Sequence, residues 1–115
     1  MQVIYLSGKL DTTEEAYNAF ADAEEFIKSY RLFDGDRVVN LTRISEVLPA
    51  LSSYQYRSIA YQFINICDAI FMVDGWKQSK TAKLELEYAK SLGKKVLYQD
   101  YFKKYRKGKT NGDNE

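Results

Sequence analysis

The sequence predicts an α/β fold, a small three-layer sandwich with a mostly parallel sheet between helices. Apolar runs rich in β-formers alternate along the chain with segments of helical periodicity. One of those runs, Ala69-Ile70-Phe71-Met72-Val73, is apolar throughout, as a strand covered on both faces must be. A chain of 115 residues that is 45% hydrophobic and 29% charged also suits one compact core of ordinary size.

Val3 to Leu6, stopped by Ser7-Gly8, reads as the first buried strand. Thr12 or Thr13 then caps a helix with Glu14 and Glu15 in its first turn, along which Ala16, Phe20, Ala23, Ile27 and Tyr30 recur at helical spacing. Asp34-Gly35-Asp36 is a turn. Arg37 to Leu41 carries the second strand through Val38-Val39 to Asn40, and a polar loop runs past Pro49 to Ser52-Ser53, either of which can cap a helix over about Tyr54 to Ile66. The central strand Ala69 to Val73 closes on Asp74-Gly75. Ser79 to Leu92 is the last long helix, with Gly93 at its C-terminal end, and Lys95 to Tyr98 is a fourth strand. Four strands, with room for a fifth, in the order 2-1-3-4 make a flavodoxin-like or Rossmann-like sheet, which takes ligands beyond the carboxyl ends of its strands. Those ends include Ser7-Gly8-Lys9, Asn40-Leu41-Thr42 and Asp74-Gly75-Trp76. One domain is expected over residues 1–102. Residues 103–115, with Lys103, Lys104, Arg106, Lys107 and Lys109 among Gly and Asn, read as a basic, solvated tail.

Composition narrows the chemistry. With no histidine, serine–histidine and cysteine–histidine catalysis are excluded, together with the commonest zinc ligand. The single cysteine, Cys67, follows an apolar stretch and reads as a buried small hydrophobe in a reducing compartment. A formal charge of +1 gives no field toward nucleic acid or anionic membrane, and no apolar run approaches the length of a membrane span. A cytoplasmic protein with no metal or cofactor and no nucleic-acid or membrane partner is the expectation.

The last helix carries the most informative residue. Lys80, Lys83, Glu87, Lys90 and Ser91 share its polar arc, whereas Ala82, Leu84, Leu86, Tyr88, Ala89 and Leu92 spread over the remainder, with Glu85 projecting from their middle. A carboxyl facing the protein has a pKa set by desolvation against nearby hydroxyls or cations, which suits catalysis. Equally compatible with the pattern is an edge position from which Glu85 reaches water or pairs with Lys9. Asp74 ends the central strand, where catalytic use and an Asp-Gly turn are evenly matched; Asp68, at a helix-to-strand break, reads as a turn or capping residue. Trp76 fits packing over the sheet edge better than base stacking.

The segments Tyr5-Leu6-Ser7-Gly8-Lys9 and Cys67 to Trp76, followed by Ser79 to Ala89, resemble the DUF4406 family, grouped with nucleoside 2-deoxyribosyltransferases and 2′-deoxynucleoside 5′-phosphate N-hydrolases. The resemblance implies an N-glycosidic site in which Glu85 attacks C1′ of a deoxyribose and the base leaves; Asp74, from its strand-end position, or a water is the candidate proton relay. The resemblance further implies that Tyr5 and Gly8 line the sugar and that Ser79 binds a phosphate; Lys9, as a point charge that can pair with a phosphate, and Asn40 and Trp76, at strand ends, are the further substrate-binding candidates. A nucleoside or nucleotide is then the small-molecule partner, in a homodimer or higher oligomer whose subunits complete each other's sites. Three positions depart from the pattern: Ala60 replaces a usual aspartate, Thr81 a frequent glycine and Lys9 a serine. The alternatives are a nucleotide-binding or sequestering protein that has lost chemistry, and an oligomeric scaffold built on the tyrosine-rich second helix.

Overall fold

The computed structural model describes residues 2–9, 14–30, 33, 35–44 and 51–104. The expected caps Thr12 and Thr13, the turn residue Asp34, Pro49 and residues 105–115 lie outside these. Four parallel strands form one sheet: β1 (Val3–Ser7), β2 (Arg37–Val39), β3 (Ala69–Met72) and β4 (Lys95–Tyr98), in the order β2-β1-β3-β4. This is the α/β, doubly wound arrangement read from the sequence. Parallel neighbours require crossover helices, supplied by α1 (Glu14–Ser29), α2 (Ser53–Ile66) and α3 (Lys80–Ser91).

Because side chains alternate along each strand, the sheet separates two apolar cores. Ile4, Leu6, Phe71 and Val73 join Phe20, Ala23 and Ile27 of α1 on one face. Tyr5, Ile70 and Met72 join Ala60 and Ile64 of α2 and Ala82, Leu86 and Ala89 of α3 on the other. β1 pairs with β2 on one side and β3 on the other, Ser7 lying opposite Met72 at the carboxyl end. The strand order reverses between β1 and β3, and in open α/β sheets that crevice is where ligands bind.

Element ends follow local chemistry. Ser52 accepts the Gln55 N–H while Gln55 Oε1 accepts the Ser52 N–H, a reciprocal cap for α2. Ser79 caps α3 through the Ala82 N–H, and Gly93 follows its last turn with φ 71°. The second strand is shorter than expected: Asn40 leaves it to cap a 3-10 turn, Leu41–Arg43, through the Thr42 N–H. Beyond β4, residues 99–104 are helical, so Lys103 and Lys104, expected in the tail, continue a turn whose Phe102 joins the α1-side core.

Candidate active site

Strand alternation turns Tyr5 and Ser7 to the face of β1 that α2 and α3 cover. From α3, Ala82, Glu85, Leu86 and Ala89 form the buried stripe, at the i, i+3, i+4, i+7 spacing of one helix face. Leu84 and Leu92, expected on the apolar arc, are both 40% exposed. The stripe is therefore narrower than the sequence suggests, and Glu85 lies inside it, 5% exposed.

Each oxygen of Glu85 accepts one hydroxyl of β1. Tyr5 Oη donates to Oε2 at 3.1 Å and Ser7 Oγ to Oε1 at 2.6 Å. Among the described residues no cation pairs with it, and Lys9 is exposed. Burial pushes the Glu85 carboxyl from 4.5 up to about 7, an increase the Ser7 and Tyr5 hydrogen bonds only partly offset. Burial, and then the Glu85 charge beside it, holds the Tyr5 phenol well above its ordinary pKa, so it remains a donor. A buried carboxyl poised near neutrality and held by two hydroxyls of β1 has the chemistry of a nucleophile or a proton-transfer group.

A second buried acid provides the contrast. Glu24 of α1 is 7% exposed and receives Asn40 Nδ2 at 3.1 Å, Arg43 Nη2 on both oxygens at 2.9 Å, and Lys28 Nζ at 3.0 Å. Burial raises its pKa, but these donors outweigh the effect and take it down to about 2. Glu24 is thus fixed as an ionised clamp between α1 and the turn after β2.

The other anticipated residues are distributed around this frame. Asn40 is buried, with its Oδ1 capping Thr42 and its Nδ2 on Glu24. Gly8 is buried, and a Cβ there would lie 2.9 Å from Val73 Cβ and 3.4 Å from two Phe20 ring atoms, so packing alone requires glycine. Ser79 is buried and its Oγ accepts the Ala82 N–H. Asp74 is exposed, its Oδ2 2.7 Å from Lys103 Nζ and its N–H donated to Gln99 Oε1. Trp76 is half-buried and tilts against Tyr98, ring centroids 5.8 Å apart, with Lys77 Nζ 5.9 Å from its own ring. Asp68, expected as a local turn or capping residue, accepts the N–H of Val3 at the start of β1, a bond between distant parts of the chain. Of the anticipated set, Tyr5 and Glu85 touch directly. Ser7 and Glu24 were not anticipated as buried partners of anything. Period-two alternation from Tyr5 points to Ser7, and the spacing Phe20, Glu24, Ile27 puts Glu24 on the buried face of α1. Among the described residues no three His, Cys, Asp or Glu side chains gather as a metal site needs, and no helix is long and apolar enough to cross a membrane.

The architecture is similar to that of a solved 2-desoxiribosyltransferase from Leishmania mexicana, with a TM-score of 0.62 over 85% of this chain at 20% identity. The present chain spans 63% of that protein. No curated protein matches in sequence. The model of the domain of unknown function DUF4406 matches residues 2–98, and the chain belongs to that family.

Proposed function

We propose that the protein cleaves or transfers the N-glycosidic bond of deoxyribonucleosides or their 5′-monophosphates, with Glu85 as the nucleophile. The observation that carries the reading is the buried Glu85 carboxyl, each of its oxygens hydrogen-bonded by a hydroxyl from β1. A Glu85 oxygen bonds to C1′ as the C1′–N bond breaks. The base departs with the bonding electrons and takes up a proton, for which Asp74 or a water is the relay. Water or a second base then releases the sugar, as in retaining glycosidases. Tyr5 and Gly8 border the sugar in this reading, Ser79 and Lys9 meet a 5′-phosphate, and Asn40 and Trp76 complete the pocket. Assembly as a homodimer or higher oligomer belongs to the same reading, supported by the exposed Tyr54 and Ile66 of α2.

The experiment is release of free base from a panel of deoxynucleosides and their 5′-monophosphates. Turnover is expected from the native chain and a loss of at least about 10³-fold from Glu85→Gln, as when an essential group of a catalytic unit is removed. No turnover across the panel, or turnover that survives Glu85→Gln, rejects the proposal. Ala60, buried in the apolar cluster that contains Tyr5, favours a second reading in which a nucleotide is bound without being consumed. Ligand would then raise the melting temperature while remaining intact.

A further inference from the structure

Where serine hydroxyls go separates Ser7 from the other hydrogen-bonded serines of the described residues. Ser29 and Ser91 donate to backbone carbonyls three residues earlier, while Ser52 and Ser79 accept backbone N–H groups three residues later. These are the local bonds that serine makes at helix ends. The Ser7 hydroxyl instead crosses from the sheet to α3, 78 positions along the chain, and bonds a carboxylate side chain at 2.6 Å. Its backbone is fixed independently, for the Ser7 carbonyl accepts the Val73 N–H at 2.8 Å and the residue is opposite Met72 in the sheet. The hydroxyl of a 1% exposed residue, on a strand paired on both sides, is therefore aimed at one oxygen of the candidate nucleophile.

We propose that Ser7 is a positioning residue for Glu85: its hydroxyl anchors Oε1 and favours the ionised carboxylate, leaving Oε2, on the longer bond from Tyr5, as the oxygen that turns to C1′. The inference rests on Glu85 acting as nucleophile. Its physical content is twofold. Only the ionised carboxylate can attack, and with burial opposing ionisation and no cation paired with it among the described residues, donor hydroxyls are its means of stabilisation. A carboxylate held at one oxygen also retains a single orientation for the other. Among the described residues the titratable groups around it are Tyr5 on β1 and, beyond it, Cys67 and Tyr61 at the end and middle of α2. Burial raises the Tyr5 phenol and lifts the Cys67 thiol to about 11, so neither adds charge near neutral pH.

The test is the titration of Glu85 followed through its side-chain carboxyl carbon by NMR in protein labelled at glutamate, with Ser7→Ala and Ser7→Thr compared with the native chain. Loss of a charge-assisted hydrogen bond should move the Glu85 midpoint upward by about one pH unit in Ser7→Ala, and the threonine hydroxyl should restore it. In the turnover assay the acid limb of the pH–rate profile should move with it. At neutral pH kcat should fall about tenfold with KM within about twofold, the pattern of an interaction made in the transition state. Should Ser7→Ala fail to fold, Ser7→Cys, nearly isosteric and a weak donor, carries the same comparison. An unmoved midpoint in the variant lacking the hydroxyl overturns the proposal, whatever the activity. Absence of turnover in the native chain defeats the nucleophile reading, and the NMR arm still decides whether Ser7 governs Glu85.

Discussion

At the scale of single residues the two buried glutamates show how one side chain acquires opposite properties from its surroundings. Glu24 meets two cations and an amide and stays ionised, whereas the partners of Glu85 among the described residues are two hydroxyls, and its pKa rises to about 7. Their pH signatures differ in sign. The folded pKa of Glu85 lies above its ordinary value, so its contribution to stability is fully present below about pH 4.5 and is lost as pH rises through about 7. The gap between those values corresponds to about 3 kcal/mol at most. Glu24 has a depressed pKa, so its contribution is present above about pH 4.5 and is lost as pH falls toward 2, outside that window. Urea unfolding at pH 5 and pH 8 should therefore show the native chain losing stability relative to Glu85→Gln at the higher pH. A constant difference between the two proteins would show that Glu85 binds no extra proton on folding. Glu85 was legible in the sequence because a lone acid interrupted an apolar arc. Glu24 has the same helical placement but sits beside Glu25 and Asp22, which make that stretch of α1 read as polar surface. Ser7 was read as the residue that stops a strand, since a small polar side chain at a strand end does not announce a partner on a distant helix.

At the scale of elements, the parts with strong local signals were the legible ones. β3 and β4 fall within a residue of their expected limits because apolar runs closed by turn residues bound them, and Ser52, Ser79 and Gly93 end helices as their chemistry dictates. The second strand was overextended by the apolar Leu41, which lies in the 3-10 turn because Asn40 uses its side chain as a cap. Gly8 illustrates a different limit: family resemblance suggested a sugar-lining role, while its identity is explained by the close approach of the β1–α1 connection to β3. Gly8→Ala should cost about 1–3 kcal/mol, the range for overpacking a filled core. Because the offending neighbour is the Cβ of Val73, which alanine retains, Val73→Ala should not rescue the variant. Urea unfolding of the two single variants and the double variant checks this, and rescue in the double would mean that the steric contact is not the cause.

At the scale of the whole molecule, the sheet separates the face on which Glu85, Tyr5 and Ser7 meet from the face that α1 covers. The helical turn 99–104 belongs to the second face and lies beyond the residues 2–98 matched by the family model. Of this turn only Lys103 and Lys104 read as tail in the sequence, and Phe102 packs edge-on to Tyr30 and Phe33, with ring centroids 5.5 and 5.3 Å away. Gln99 accepts the Asp74 N–H and Lys103 pairs with the Asp74 carboxylate, which ties the turn to the carboxyl end of β3. The ion pair is substantially exposed on both sides and should contribute no more than about 1 kcal/mol. Burial of the Phe102 ring is the larger effect, so Phe102→Ala should destabilise the domain by about 3 kcal/mol, against less than about 1 kcal/mol for Lys103→Met. Since Glu85, Tyr5 and Ser7 meet across the opposite face, neither substitution should move the NMR titration midpoint of Glu85 while the protein remains folded. Measured together, unfolding free energies and that midpoint separate what holds the sheet from what tunes the site. A midpoint displaced by Phe102→Ala would mean that packing on the α1 face sets the geometry of the carboxylate through the sheet, and the division of labour between the two faces would have to be abandoned.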